Sequence, residues 1–291
     1  MAADAKRFDQ PGDFGGRRDD PSDTAGGTMT LPRSLTAPRP PRGAGAVAVP
    51  AATAFTLAGL AVFAAAPAGW RLGLWHYTVS FAMMRYAAYI GLVAVASAAV
   101  ALPAWVRLSA ARRAIVLVAL TVAAVVVAVP LHYAWLAAAT PAIHDITTDP
   151  VNPPQFWAVL PSRAEEDANP VEYGGVAVAK LQREYYPHIA PLTTTLPPRT
   201  AFAIALATAK AMPGWVDVIA EPEAWRIEAS QESFWMRFTD DVSIRVSPIV
   251  GGSRIDVRSL SRQGRGDFGV NAARVAAYLD ALGARLSTAR R

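Results

Sequence analysis

Three long uncharged runs in the first half of the chain leave few architectures open to it. Gly43–Trp70 is 28 residues without a charge, Tyr86–Val106 is 21, and Ala114–Leu131 is 18, with apolar character continuing past His132 to Ile143. A helix needs about 20 residues to cross a hydrocarbon core. No soluble domain of this size needs three buried helices so apolar. The spacing predicts three transmembrane helices over about 46–69, 86–106 and 114–138, in a membrane region spanning 43–143. Residues 144–291 carry charges and alternation and read as a soluble domain long enough to bury its own core. Residues 1–42 are dominated by Gly, Pro, Asp, Arg, Ser and Thr, with Pro32, Pro38, Pro40 and Pro41 near their end. That composition lacks an apolar period and predicts a disordered tail.

The arginines set an orientation. Arg33, Arg39 and Arg42 precede the first run, and Arg107, Arg112 and Arg113 crowd between the second and third. Only Arg71 and Arg85 lie between the first and second, and no Lys or Arg follows the third until Arg163. Short cytoplasmic loops retain Lys and Arg. The expected arrangement is a multi-pass protein of the cell inner membrane, N-terminus cytoplasmic and residues 144–291 periplasmic. Aromatic residues mark the edges: Trp70, Trp75 and Tyr77, then Trp105, then Tyr133 and Trp135. Ala64–Ala68 also reads as a signal cleavage site, with Met29 as an alternative start. The C-terminal part is exported on either reading.

The predicted spans contain no Asp, Glu, Lys or Arg, which disfavours an ion-coupled transporter. Small residues such as Ala54, Ala58 and Gly59 suit close helix packing. The net charge of +5 is modest and is explained by membrane flanks, so no nucleic acid is expected as a partner. There are no cysteines, which excludes disulfides and thiolate sites.

Within 144–291, a proline-rich stretch runs to Pro198 and holds one short helix, about Val176–Glu184. It reads as a wrap over a sheet or as a spacer from the membrane. A helix is predicted at about Ala201–Met212, capped by Thr200. Period-two alternation then predicts strands at Trp215–Ala220, Trp225–Ser230, Phe234–Thr239 with Val242–Ser247, and Arg254–Leu260. A final helix covers about Asn271–Leu286. The fold class is therefore an α-helical membrane anchor of three transmembrane helices plus an α+β domain, with an antiparallel meander packed against helices.

In phase, Ile227, Phe234, Met236, Phe238, Val242, Ile244, Val246, Ile255 and Val257 face the helices. The opposite face then carries Arg226, Glu228, Arg237, Arg245, Asp256 and Arg258. Guanidinium forks match carboxylate and phosphate, so this face reads either as an anion site or as a solvated ion-paired surface. Gly264, Gly266 and Gly269 match the dinucleotide fingerprint by letter, but no strand follows the last helix, so no nucleotide is expected. The remaining reading of that loop is a turn with Asp267 or Asn271 capping the helix. His144, Asp145 and Asp149, with His188, fit no standard metal spacing, and Asp149-Pro150 reads as turn chemistry. No metal and no cofactor are expected. Asp240 and Asp241 are adjacent and point to opposite faces of a strand, so they form no acid dyad.

Several motifs together carry a resemblance: Ile143-His144-Asp145-Ile146-Thr147-Thr148-Asp149 with Asn152-Pro153-Pro154, Tyr186-Pro187, Arg226-Ile227-Glu228-Ala229, Phe238 with Asp240-Asp241-Val242, and the run from Arg258-Ser259 through Ser261-Arg262, Gly264, Asp267, Gly269 and Asn271-Ala272 to Arg274. Over roughly 143–284 the chain resembles the bacterial family catalogued as domain of unknown function 1499. It departs at Gly266, where the family often has serine. The resemblance implies no activity. It implies that a ligand site, where present, gathers Arg226, Arg258, Arg262, Asp267, Asn271 and Arg274, with Asp145 and Asp149 folded against them. The expected function is a non-enzymatic inner-membrane protein whose periplasmic domain binds a partner or an anionic ligand. Its partners are the lipid bilayer and another membrane or periplasmic protein, or that ligand. The alternative is a periplasmic hydrolase or transferase using acidic residues and the arginine cluster.

Overall fold

The computed structural model describes residues 43–166 and 168–289. The predicted tail, 1–42, lies outside them. Three helices come first: α1 (Ala44–Arg71), α2 (Tyr77–Ala101, continued by a 3-10 turn over Leu102–Arg107) and α3 (Ala110–Ala139). Each is long and apolar enough to cross a membrane, with mean hydropathies of 1.9, 1.9 and 2.9. Helix α2 begins at Tyr77, ahead of the expected Tyr86, so Arg85 lies inside it on an exposed face. Its entry is held by His76, whose ring accepts the Thr78 N–H. Arg113 closes the following loop, donating from Nε to the Trp105 and Leu108 carbonyls at 3.1 Å each.

Small residues set the helix spacing. Gly59 packs on α2, where a Cβ would lie 3.4 Å from Ile90; at Gly91 a Cβ would come within 2.8 Å of Val127 on α3. Ala52, Thr56, Gly59, Phe63 and Ala66 line the packed side of α1, at the three- and four-residue steps that share a helix face. Ala54 and Ala58 turn to the exposed side instead. The outward faces carry Leu57, Leu92, Leu117, Val118 and Val125.

The C-terminal part adds β1 (Asp145–Thr147), α4 (Leu160–Glu165), α5 (Gly175–Tyr185), β2 (Leu192–Thr194), α6 (Pro198–Ala211), β3 (Trp215–Glu221), β4 (Arg226–Glu232), β5 (Thr239–Ile249), β6 (Gly252–Ser261) and α7 (Val270–Ala289). The antiparallel sheet has the order β1-β6-β5-β4-β3, with β2 also paired on β6. Strands β1 and β2 are too short for a periodicity to announce them. Gln182 of α5 completes β1 by accepting the Thr147 N–H and donating to its carbonyl, at 2.9 and 2.7 Å.

Helices α6 and α7 cover one face. Ile227, Val242, Ile244, Val246, Ile255 and Val257 meet Phe202, Val275, Tyr278 and Leu282 there in one core. Thr200 does not cap α6; Pro197 occupies the cap position without a side-chain bond. The proline-rich stretch wraps the other face: the Gln155 carbonyl accepts from Ser243, and Phe156 and Val159 pack on Leu260.

One strand expectation fails. Ser233–Phe238 is the loop of the β4–β5 hairpin, closed by Ser233 N–H to the Phe238 carbonyl at 2.8 Å, with Arg237 left-handed at φ 53°. Phe234, Met236 and Phe238 therefore do not face α6 and α7. The loop reaches the helices instead: Trp70 donates to the Met236 carbonyl at 2.8 Å, and Phe238 sits among the rings of Trp70, Tyr77 and Phe81. Met236 is buried and Phe238 docks on the helices, while Phe234 stays exposed, so their alternation is no sheet pleat. A second contact joins Tyr133 of α3 to Phe268, edge to face at 5.6 Å.

Candidate functional site

The predicted site residues are drawn together from β1, β6, α7 and the wrap, but as separate buried clusters on two faces of the sheet. Arg258, on the wrapped face of β6, is fully buried. It grips Asp145 with Nε and Nη2 at 2.9 and 2.7 Å and donates to the Pro154 and Val171 carbonyls. The rings of Phe156 and Tyr173 lie against its guanidinium. Burial, with the Asp145 carboxylate beside it, pushes the Tyr173 phenol up to about 12.

Arg262 binds Asp241 in the same two-pronged way, at 2.9 and 2.8 Å, and reaches Glu166. Arg163 of α4 adds a second guanidinium to Asp241 at 2.6 Å, and Ser230 a hydroxyl at 2.7 Å. A bidentate carboxylate on each fork is the strongest form of such a contact and fills the geometry an anion would use.

On the helix face, Arg274 of α7 binds Asp240 at 2.6 Å, Gln231 at 2.6 Å and Ser259 at 2.9 Å, and donates to Asn271. Asn271 donates to the His144 carbonyl at 3.0 Å, tying the start of the domain to its last helix. Asp267 caps α7, accepting from the Gly269 and Asn271 amides at 2.9 and 2.8 Å. Burial holds its carboxyl above the usual range despite those bonds. Gly264 and Gly269 take φ of +92° and +82°, so the glycine loop is turn geometry that suits glycine.

Arg226 stands apart. It pairs with Glu221 at the sheet edge and lies 4.7 Å over the Trp157 ring. Asp149 also leaves the cluster: it accepts the Val151 and Asn152 amides in a turn and faces Arg245 and Arg254, which share Asp256. Asp145 and Asp149 thus serve different arginines. Among the described residues no three His, Asp or Glu side chains are grouped to hold a metal.

Glu228 escaped the sequence argument as a site residue. It is fully buried on β4 beneath the wrap and accepts three consecutive backbone amides, Trp157, Ala158 and Val159, at 2.6, 2.9 and 3.0 Å. Burial raises its pKa to about 7, against the opposing pull of those amides. Arg163, Glu166, Asp240 and Asp241 were missed as well. The one available signal was charge at alternating strand positions opposite a proline-rich segment with enough length to cover it.

With this geometry in place, the comparison with known families is decisive for the domain. Residues 145–282 match the family described as "Protein of unknown function (DUF1499)". The C-terminal domain is a DUF1499 domain. No curated protein matches the chain. The matched region begins at β1, within the Asp145–Arg258 pair, and ends inside α7, so the paired clusters belong to the DUF1499 domain and the three helices precede it.

Proposed function

We propose that this chain is a multi-pass protein of the inner membrane that holds its DUF1499 domain against the periplasmic surface, where the domain acts without catalysis by binding a partner. The observation that carries this reading is the junction: an indole hydrogen bond, a four-ring cluster and the Tyr133–Phe268 contact fix the domain to one end of an apolar helix bundle. The arginine flanks between α2 and α3 favour that bundle's other end as cytoplasmic. A partner is favoured over a free anion because Arg258, Arg262 and Arg274 are buried and already bound to carboxylates. An incoming anion would have to displace one of them.

Titration of the full chain in nanodiscs with inorganic phosphate separates the two ligand classes. The partner reading expects no heat of binding. Binding that disappears in Arg226→Ala, the most exposed of the four arginines, would favour the anion site instead.

The hydrolase or transferase reading is favoured by one observation, a buried carboxyl with a pKa of about 7 and no ion-pair partner among the described residues, which is the tuning a general acid or base needs. It requires the wrap to open and admit substrate to Glu228. Fast hydrogen exchange at the Trp157, Ala158 and Val159 amides would support it. Exchange as slow as that of β5 would oppose it.

A further inference from the structure

The hairpin loop does more than touch the top of the helices. Trp235 lies edge-on to Phe63 at 5.0 Å and packs with a buried cluster of Phe63, Ala87 and Val126. Phe63 is eight residues before the end of α1, which at 1.5 Å per residue is about 12 Å along the helix. The loop therefore reaches well below the Trp70–Tyr77 level, into the apolar band. Phe234, next to Trp235, is 97% exposed, although Phe234, Trp235 and Met236 form an uncharged apolar tip. The loop's charges stand at its base, where Glu232 and Arg237 pair at 2.8 Å. A fixed apolar tip with charges behind it, anchored on the helix bundle through Trp235 with Phe234 left exposed, has the distribution of an element lying in a membrane interface.

We propose that the β4–β5 hairpin is a lipid wedge, with Phe234 inserted among the acyl chains of the leaflet on the domain's side. This rests on the reading that the three helices span a bilayer. The depth of Trp235 along α1 names the occupant: at that level an outward-facing side chain meets acyl chains. The backbone bonds that close the loop, together with the Trp70–Met236 bond, hold the tip in place without help from lipid.

The chain has no cysteine, so single sites can be spin-labelled cleanly. The test places a nitroxide at Phe234→Cys, Val125→Cys or Val250→Cys in the full chain in phosphatidylcholine nanodiscs. Collision with oxygen is compared with collision with a water-soluble nickel chelate. Val125 is exposed on α3, and Val250 is fully exposed at the β5–β6 turn. The wedge predicts that the Phe234 label is several-fold more accessible to oxygen than to nickel, as at Val125, while the Val250 label shows the reverse. A Phe234 label that behaves like Val250 while Val125 stays oxygen-rich overturns the wedge and leaves the membrane reading standing. A nickel-accessible label at Val125 overturns both. As a second measurement, a photoreactive acyl chain in the same nanodiscs should label the Ser233–Phe238 loop, and absence of that adduct counts against insertion.

Discussion

Arg258 and Asp145 are joined by two parallel hydrogen bonds across 113 residues of chain, both buried, and so bind the first strand of the domain to its last. Removing one partner of such a pair strands a buried charge and costs about 3–5 kcal/mol. Arg258→Ala is expected to unfold the DUF1499 domain or lower its melting temperature steeply. The double replacement Arg258→Leu with Asp145→Leu should be milder than either single loss. Thermal melts of the full chain in nanodiscs check the order; a harmless Arg258→Ala would refute a structural role.

Glu228 makes the domain pH-sensitive in a defined direction. Its folded pKa of about 7 lies above the ordinary value of 4.5, so between those values the folded state binds more protons than the unfolded state. The contribution of Glu228 to stability is therefore greatest below about 4.5 and is lost as pH rises through about 7. Glu228→Gln should flatten this part of the melting profile between pH 5 and pH 8. An unchanged slope would assign the dependence elsewhere.

Trp70→Phe keeps a ring in the aromatic cluster and removes the indole N–H that reaches the Met236 carbonyl from α1. The loss is about 1 kcal/mol, typical of one hydrogen bond. Faster amide exchange is expected in Ser233–Phe238, with β5 and β6 unaffected. Equal acceleration throughout the sheet would mean that the junction supports the whole domain.

Asp267→Ala removes the side chain that accepts two amides at the start of α7. A lost cap costs about 0.5–2 kcal/mol. Asp267→Asn, which keeps an acceptor oxygen, should recover most of it in the same melt.

Particular residues show how far the sequence could be read. The three apolar helices are visible because outward-facing and bundle-facing positions are both apolar, so charge stands out by absence. Arg85 misled the start of α2, since an arginine on an exposed helix face near the end can send its head toward water. Asp240 and Asp241 were correctly sent to opposite faces by strand geometry, to Arg274 and Arg262. Their partners were hidden because the pairs span long stretches of chain. The charges of β4 to β6 looked like one face open to solvent, and only the wrap, which has no periodicity of its own, turns that face into an interior. Phe234, Met236 and Phe238 alternate as a strand would, but they sit in a hairpin loop, where Met236 and Phe238 meet the helices and Phe234 is exposed.

The placement of the domain is tested most directly by labelling Val250→Cys with a membrane-impermeant maleimide in intact cells whose outer membrane has been permeabilised. Val250 is fully exposed, at the far end of β5 from the helices, about 34 Å by strand rise. The account predicts full labelling before the inner membrane is broken. Labelling that appears only after lysis would put the DUF1499 domain in the cytoplasm and contradict it.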